Sequence, residues 1–97
     1  GETMAAIVAC DLCGVRRIDV ERIRAQVAQA LPALAGNRVL VAASHSHSSA
    51  ESLYLFSNTP DDPFIVDMDR RIAEAVVDAA GRLAPVRATF GTAPVEL

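Results

Sequence analysis

The chain has 97 residues, of which 52% are hydrophobic and 22% are charged, with a net charge of -3 at neutral pH. This composition excludes a disordered chain, and no apolar run approaches the ~18 residues of a membrane span or resembles a secretory signal segment. All nine basic residues are arginines without a clustered stripe, so no nucleic-acid partner is predicted. Two cysteines are too few for a secreted disulfide framework.

The first predicted elements are a strand and an amphipathic helix. Residues 5–10 form a short continuous apolar run, which is typical of a buried parallel strand. Asp19 is the predicted N-cap of the helix that follows. The apolar stripe of this helix recurs at steps of three and four residues, at Val20, Ile23, Val27, Leu31 and Leu34.

A second apolar strand, residues 38–43, leads directly into the polar sequence SHSHSS at residues 44–49. Residues 50–60 show no regular period and are predicted to form a loop. A loop of this length inside a compact unit is usually functional or mobile. Its bulky residues Tyr54, Leu55 and Phe56 are interpreted as loop anchors, and the alternatives are a lipid-contacting patch or an interface.

The second helix has clear start and stop signals. Asp61 or Asp62 can cap it, Pro63 suits its first turn, and Pro85 is predicted to stop it. Two ion pairs with i,i+4 spacing support this helix, Asp67 with Arg71 and Asp78 with Arg82. The predicted buried stripe comprises Ile65, Met68, Ile72, Val76, Ala79 and Leu83.

A final extended segment, residues 86–97, completes the order strand, helix, strand, loop, helix, strand. We therefore predict an α/β fold with a three-stranded, mainly parallel sheet and two right-handed crossover helices (βαβαβ). Strands that are apolar on both faces need cover on both faces, and two helices are too few to provide it. Residues 1–97 are accordingly expected to be a single α/β unit and an incomplete piece of a larger α/β domain, completed by the remainder of the protein or by a homo-oligomer. The alternative is a small two-layer domain whose sheet is more exposed to solvent.

The two histidines, His45 and His47, carry the clearest chemical signal. They lie two residues apart at the end of a predicted strand, so their imidazoles can converge on one point. Ligands of open α/β sheets bind beyond the carboxyl ends of the strands, and histidine is the commonest metal ligand. This pattern predicts a metal or catalytic site, and the alternative is a pair of loop histidines without a chemical role.

Cys10 and Cys13 end the first strand in a C-x-x-C pattern that allows three interpretations. Both can be small buried hydrophobic residues, as free cysteines usually are. They can also join His45 and His47 in a structural zinc site, although H-x-H is tighter than the usual histidine spacing of such sites. A redox pair would be expected to open a helix, whereas here a turn intervenes. Asp11 could orient a histidine ring or cap that turn.

A strand that ends in an aspartate, a capped helix and a strand that runs into H-S-H-S together resemble the N-terminal domain of the neutral/alkaline (non-lysosomal) ceramidases. In that family the second strand ends in H-T-H-S-G-P. The family also has an aspartate-proline helix start, similar to residues 61–63, and a late segment similar to residues 91–97. The resemblance covers residues 5–97, and its one chemically specific motif is residues 44–48. It implies a zinc-dependent amidohydrolase that cleaves the N-acyl bond of ceramide.

The resemblance assigns roles to the two histidines of this chain. It implies that His45 is a zinc ligand and that His47 is a catalytic residue beside the metal, able to hydrogen-bond the reacting amide. Zinc would polarise the amide carbonyl and activate its bound water. The chain departs from the family at Ser46, which replaces a threonine, and at Ser49 and Ala50, which replace a glycine and a proline.

The same resemblance implies that the site is incomplete in this chain. The family's other zinc ligands are a histidine, a glutamate and a tyrosine from further along the sequence, and these 97 residues contain no third histidine. Zinc is thus the expected cofactor and an N-acyl lipid the expected substrate, with the isolated chain inactive. Members of the family are often secreted, but no segment of this chain indicates a compartment. The alternative function is a small non-enzymatic α/β module that acts by association.

Overall fold

Two parallel strands form the sheet in the computed structural model, which describes residues 3–56 and 58–96. Strand β1 is Ala6–Cys10 and strand β2 is Val39–Ala43. They pair residue for residue along their whole length, so their carboxyl ends lie side by side. This arrangement places the segments that follow the two strands, with the cysteine of one and the histidines of the other, at the same edge of the sheet.

Helix α1, Arg17–Ala30, connects the two strands. The prediction that Asp19 is its N-cap was wrong, because Arg16 occupies that position. Asp19 lies in the first turn, and its Oδ2 accepts a hydrogen bond from the Arg16 backbone N–H at 3.1 Å. A carboxylate in the first turn satisfies an otherwise unpaired backbone donor and interacts favourably with the helix dipole. The chain then passes through two short 3-10 turns, Pro32–Leu34 and Gly36–Arg38.

Helix α2, Pro63–Ala80, begins where the sequence predicted. The Asp62 side chain caps it by accepting a hydrogen bond from the Phe64 N–H at 2.9 Å. The helix ends at Gly81, several residues before the predicted stop at Pro85. The predicted ion pairs Asp67–Arg71 and Asp78–Arg82 are both formed.

One hydrophobic cluster joins both helices to one face of the sheet. Val39 of β2 is fully buried in it, and Val8 and Cys10 of β1 pack against it. The buried members of this cluster are Ile23, Val27, Leu34, Val39, Ile65, Met68, Ile72, Ala73 and Val76. The predicted stripes of both helices are therefore largely confirmed. The exceptions are Val20, which is half-buried and outside the cluster, Ala79, which is exposed, and Leu83, which is exposed and lies beyond the end of α2.

The opposite face of the sheet has no cover among the described residues. Ile7 is 78% exposed and Leu40 is 54% exposed, and each belongs to a strand whose next residue faces the helices. Side chains alternate between the two faces of a strand, so α1 and α2 together cover one face only.

The predicted three-stranded sheet with two crossover helices was wrong. The protein is α/β, but its sheet has two strands, and α1 alone connects paired strands. Residues 82–96 have no helix or strand and are exposed throughout, with the Phe90 side chain 99% exposed; Leu97 lies outside the described residues. The sequence predicts extended backbone in this segment. A strand also needs a partner strand, however, and Gly91 and Pro94 weaken pairing. In the part of the chain that is described, no helix is both long and apolar enough to cross a membrane.

Candidate metal centre

The loop that carries the histidines lies over the segment that follows β1. We name residues 44–54 the histidine loop. Ser44 N–H donates to the Cys10 carbonyl at 3.0 Å and Ser46 N–H donates to the Leu12 carbonyl at 3.2 Å, so the strand ladder continues into this loop. Three further hydrogen bonds join the same two segments: Cys13 N–H to Ser49 Oγ at 3.1 Å, Ser52 Oγ to Gly14 O at 2.8 Å, and Arg16 Nη1 to Leu53 O at 3.0 Å.

Close packing at Gly14 brings the two segments together. A Cβ atom at this position would lie 2.6 Å from Leu53 Cδ2, nearer than real Cβ contacts. The hydroxyl of Ser52, itself almost fully buried, donates to the carbonyl of the same glycine. Glycine therefore leaves room for the Leu53 side chain against the segment that follows β1.

His45 adopts a left-handed backbone conformation, with φ of 64°. Strand β2 ends at Ala43, so the two histidines do not belong to the strand and do not share a face through strand alternation. The predicted convergence of their imidazoles is nevertheless observed, because the chain turns between them. A left-handed conformation at a residue other than glycine costs free energy and is found most often at functional sites.

Three side chains meet at this edge of the sheet: Cys13, His45 and His47. One ligand atom from each lies within 4.8 Å of the other two. His47 Nε2 is 3.2 Å from His45 Nε2, and the rings meet edge to face at a centroid distance of 4.7 Å. Cys13 Sγ is 3.9 Å from His45 Nδ1. Both histidines are exposed and Cys13 is half-buried, so the group opens to solvent.

The hydrogen bonds of His45 favour metal binding through its Nε2 atom. Its Nδ1–H donates to the Cys13 carbonyl at 2.7 Å, which leaves Nε2 unprotonated in the neutral ring and directed toward His47. Metal-binding histidines usually donate their other ring N–H to such an acceptor. In tetrahedral zinc sites the ligand atoms are about 3.3–3.6 Å apart. The 3.2 Å between the two Nε2 atoms is close to that range.

Cys10 and Asp11 lie apart from this group. Cys10 faces the hydrophobic cluster, and burial, followed by the negative charge of Asp11, raises the pKa of its thiol. The metal ligand is the thiolate, so a raised pKa makes Cys10 a poor ligand. Asp11 accepts a hydrogen bond from Ser44 Oγ at 2.9 Å and thereby joins the ends of the two strands.

A second polar cluster lies beneath the other end of the histidine loop and was missed in the sequence. Asp19 of α1 and Asp69 of α2 are both fully buried. The Tyr54 hydroxyl donates to Asp19 Oδ1, and Arg16 lies over the Tyr54 ring, with Cζ 5.0 Å from its centroid. Tyr54 is thus the loop anchor that was predicted, while Leu55 and Phe56 are exposed. Spacing carried a signal: both aspartates lie four residues from a buried isoleucine, Ile23 and Ile65 respectively.

The buried cluster contains two groups whose pKa is raised. Burial, followed by the negative charge of Asp19, raises the pKa of Asp69 to about 6, against an opposing effect of Arg22. Burial and the hydrogen bond to Asp19 also raise the pKa of the Tyr54 phenol above its ordinary value. Both groups are therefore held in their neutral forms beyond their usual ranges.

Comparison with known proteins gives no relative for this chain. Neither a protein-family model, nor a curated protein, nor a solved structure matches it. The functional argument therefore depends on the local chemistry of the site.

Proposed function

We propose that the chain binds zinc through Cys13, His45 and His47 and that it forms part of a zinc-dependent amidohydrolase. The observation that supports this most directly is the convergence of one thiol and two imidazoles, with their ligand atoms within 4.8 Å of one another. Three protein ligands with a fourth position open to solvent are typical of catalytic zinc sites, whereas structural sites have four protein ligands. The exposure of both histidines favours the catalytic type.

An N-acyl amide, such as ceramide, is the proposed substrate class, and it derives from the resemblance of residues 44–48 to the ceramidase motif. Bound zinc would supply Lewis-acid activation of the amide carbonyl and of a water molecule. The protein's part is to orient the ligands, and the hydrogen bond from His45 Nδ1–H to the Cys13 carbonyl does this for one of them. The resemblance implies a histidine, a glutamate and a tyrosine as further ligands, and these 97 residues contain no third histidine, so they should hydrolyse little or no amide.

Zinc titration of the metal-stripped chain against a competing chelator tests the binding site. One equivalent of zinc should bind, and both His45→Ala and Cys13→Ser should abolish binding at micromolar zinc. Cys10→Ser is the matched control, because it removes a thiol three residues away that faces the hydrophobic cluster. Zinc binding that persists in both His45→Ala and Cys13→Ser would contradict the proposed site. Tight zinc lost in Cys10→Ser would instead favour the four-ligand structural site of Cys10, Cys13, His45 and His47.

His47 has two proposed roles that its substitution separates. As a third zinc ligand, it should lower zinc affinity strongly when replaced by alanine. As the catalytic residue implied by the ceramidase resemblance, it should leave zinc bound, and the loss should fall on amide hydrolysis by the complete protein. The distance of 3.2 Å between the Nε2 atoms of the two histidines favours the ligand role.

The second candidate function is non-enzymatic association with another copy of the chain. Its supporting observation is the uncovered sheet face with Ile7 and Leu40, since exposed apolar patches mark interaction sites. Light scattering after size-exclusion chromatography should then show a dimer that dissociates in Leu40→Asp. Val66→Asp is the control, because Val66 is similarly exposed but lies on α2. A monomer at every concentration would contradict this candidate.

A further inference from the structure

Asp69 of α2 presents a buried polar group that nothing in the described structure satisfies. Its side chain is fully buried, and neither carboxylate oxygen has a hydrogen-bond partner among the described residues. Buried polar groups in native proteins are almost always paired. An ionised carboxylate without partners in such a place carries a large desolvation cost, and the usual response is to take up a proton.

Three ionisable groups on the neighbouring elements interact electrostatically with Asp69. Asp19 and Arg22 come from α1, and Tyr54 comes from the histidine loop. Arg22 is already engaged, because its guanidinium donates to the Pro60 carbonyl and, at 2.7 Å, to Asp61 Oδ1. The phenol of Tyr54 donates to Asp19. The nearest negative charge that can stabilise a proton on Asp69 is therefore that of Asp19.

We propose that Asp69 takes up a proton at the junction of α1, α2 and the histidine loop, so that Asp19 holds the one negative charge there, and that Asp69 thereby acts as a positioning residue for the loop. Asp19 transmits the effect, because its two oxygens accept from Tyr54 OH and from Arg16 N–H. A neutral Asp69 leaves one negative charge at this junction. An ionised Asp69 places a second buried negative charge there, and its repulsion of Asp19 weakens the attachment of Tyr54.

The direction of the pH dependence follows from the raised pKa of Asp69. The folded chain holds this proton up to about pH 6, whereas an unfolded aspartate loses it near the ordinary value of 3.8. The contribution of Asp69 to stability is thus fully present below the unfolded value and is lost as the pH rises through about 6. Because an ionised Asp69 repels Asp19, the histidine loop should be held most firmly at the acidic end of this pH range.

Thermal unfolding of the full chain between about pH 5 and pH 7.5 tests the proton. The parent for this experiment carries His45→Ala and His47→Ala, because histidines titrate in the same window. Its Tm should fall as the pH rises. Asp69→Asn, which keeps the shape without the charge, should remove that fall and unfold at the same or a higher temperature at pH 7.5. Asp78→Asn is the control on the same helix, and its exposed carboxyl should leave the fall in place.

Three results of this experiment would overturn the proton site. One is a fall in Tm that persists in Asp69→Asn. Another is an equal loss of stability in Asp69→Asn at every pH, which would make the residue merely structural. The third is a parent chain that is stabilised by added potassium or calcium while Asp69→Asn is not, because a bound cation would then replace the proton.

Amide hydrogen exchange tests the positioning role separately. The Ser46 amide, which donates to the Leu12 carbonyl, reports on the histidine loop. At pH 7.5 it should exchange more slowly in Asp69→Asn than in the parent, with a smaller change at amides in the middle of α1. Tyr54→Phe should abolish this difference, because it removes the contact to Asp19. Equal exchange of Ser46 in both chains would contradict the positioning role. Since the parent lacks both histidines, these outcomes do not depend on zinc binding.

Discussion

The two ends of the histidine loop meet two polar clusters of opposite character. At one end Cys13, His45 and His47 form a group that opens to solvent, with one ligand atom of each within 4.8 Å of the other two. At the other end Asp19 and Asp69 are sealed between two helices, and the second of them has no partner among the described residues. The exposed cluster can exchange ligands with solvent, whereas the buried one can exchange little more than a proton.

The exposed cluster is therefore the candidate metal site, and the buried cluster is the candidate for pH-dependent control of the histidine loop. A metal ion must reach its site, and an exposed group of nitrogen and sulfur ligands allows this. A buried acid changes its charge in a low-dielectric environment, where the effect on its neighbours is largest. Tyr54 and the serines of the histidine loop connect the two clusters, so the charge of one can alter the geometry of the other.

The largest expected effect is on stability and comes from the buried cluster. Asp19→Ala should lower the free energy of unfolding by about 2 kcal/mol at pH 5, measured by urea denaturation. The change removes a hydrogen bond in the first turn of α1 and the acceptor of the Tyr54 hydroxyl. Glu21→Ala, which breaks the exposed ion pair with Arg17 on the same helix, should cost no more than about 0.5 kcal/mol. Similar losses of unfolding free energy in the two variants would show that the buried cluster contributes no more to stability than an exposed ion pair.

The next effect is on metal affinity at the exposed cluster. Ser49→Ala should lower zinc affinity about tenfold, because residues that orient metal ligands contribute at this level. Ser49 Oγ accepts from the Cys13 N–H at 3.1 Å and donates to the Ser46 carbonyl at 3.0 Å, so it joins the backbone of Cys13 to that of Ser46, the residue between the two histidines. Isothermal titration calorimetry would measure the change. The adjacent Ser48→Ala, at an exposed position, should bind zinc as the unmodified chain does.

The smallest effect concerns the backbone of His45. His45→Gly and His45→Ala both remove the imidazole, but only glycine adopts φ of 64° without steric cost. His45→Gly should therefore be more stable than His45→Ala by about 1 kcal/mol in denaturant unfolding. Equal stabilities would mean that the left-handed conformation does not persist when the imidazole is removed. A difference would show that the protein stores strain at the exposed cluster.

Much of the local structure was predictable because it depends on neighbours in sequence. The cap at Asp62, the start of α2 at Pro63 and the ion pairs of that helix all follow from spacings of four residues or fewer. The convergence of His45 and His47 was predicted as well, although through strand alternation instead of the turn that produces it. The inclusion of Cys13 and the exclusion of Cys10 from the group required the contact between two segments more than 30 residues apart in the chain.

The sequence by itself determined most of the helix residues that face the core, because a helix repeats its direction at a fixed period and burial follows that repeat. Tertiary structure alone decided the rest. Residues 86–96 have an extended pattern but no partner strand among the described residues, since pairing is a property of two segments and not of one. Asp69 lies on the buried side of α2, and the helical periodicity of the sequence predicts this position. Its raised pKa depends on Asp19 of another helix, and electrostatic interactions act through space and not along the chain.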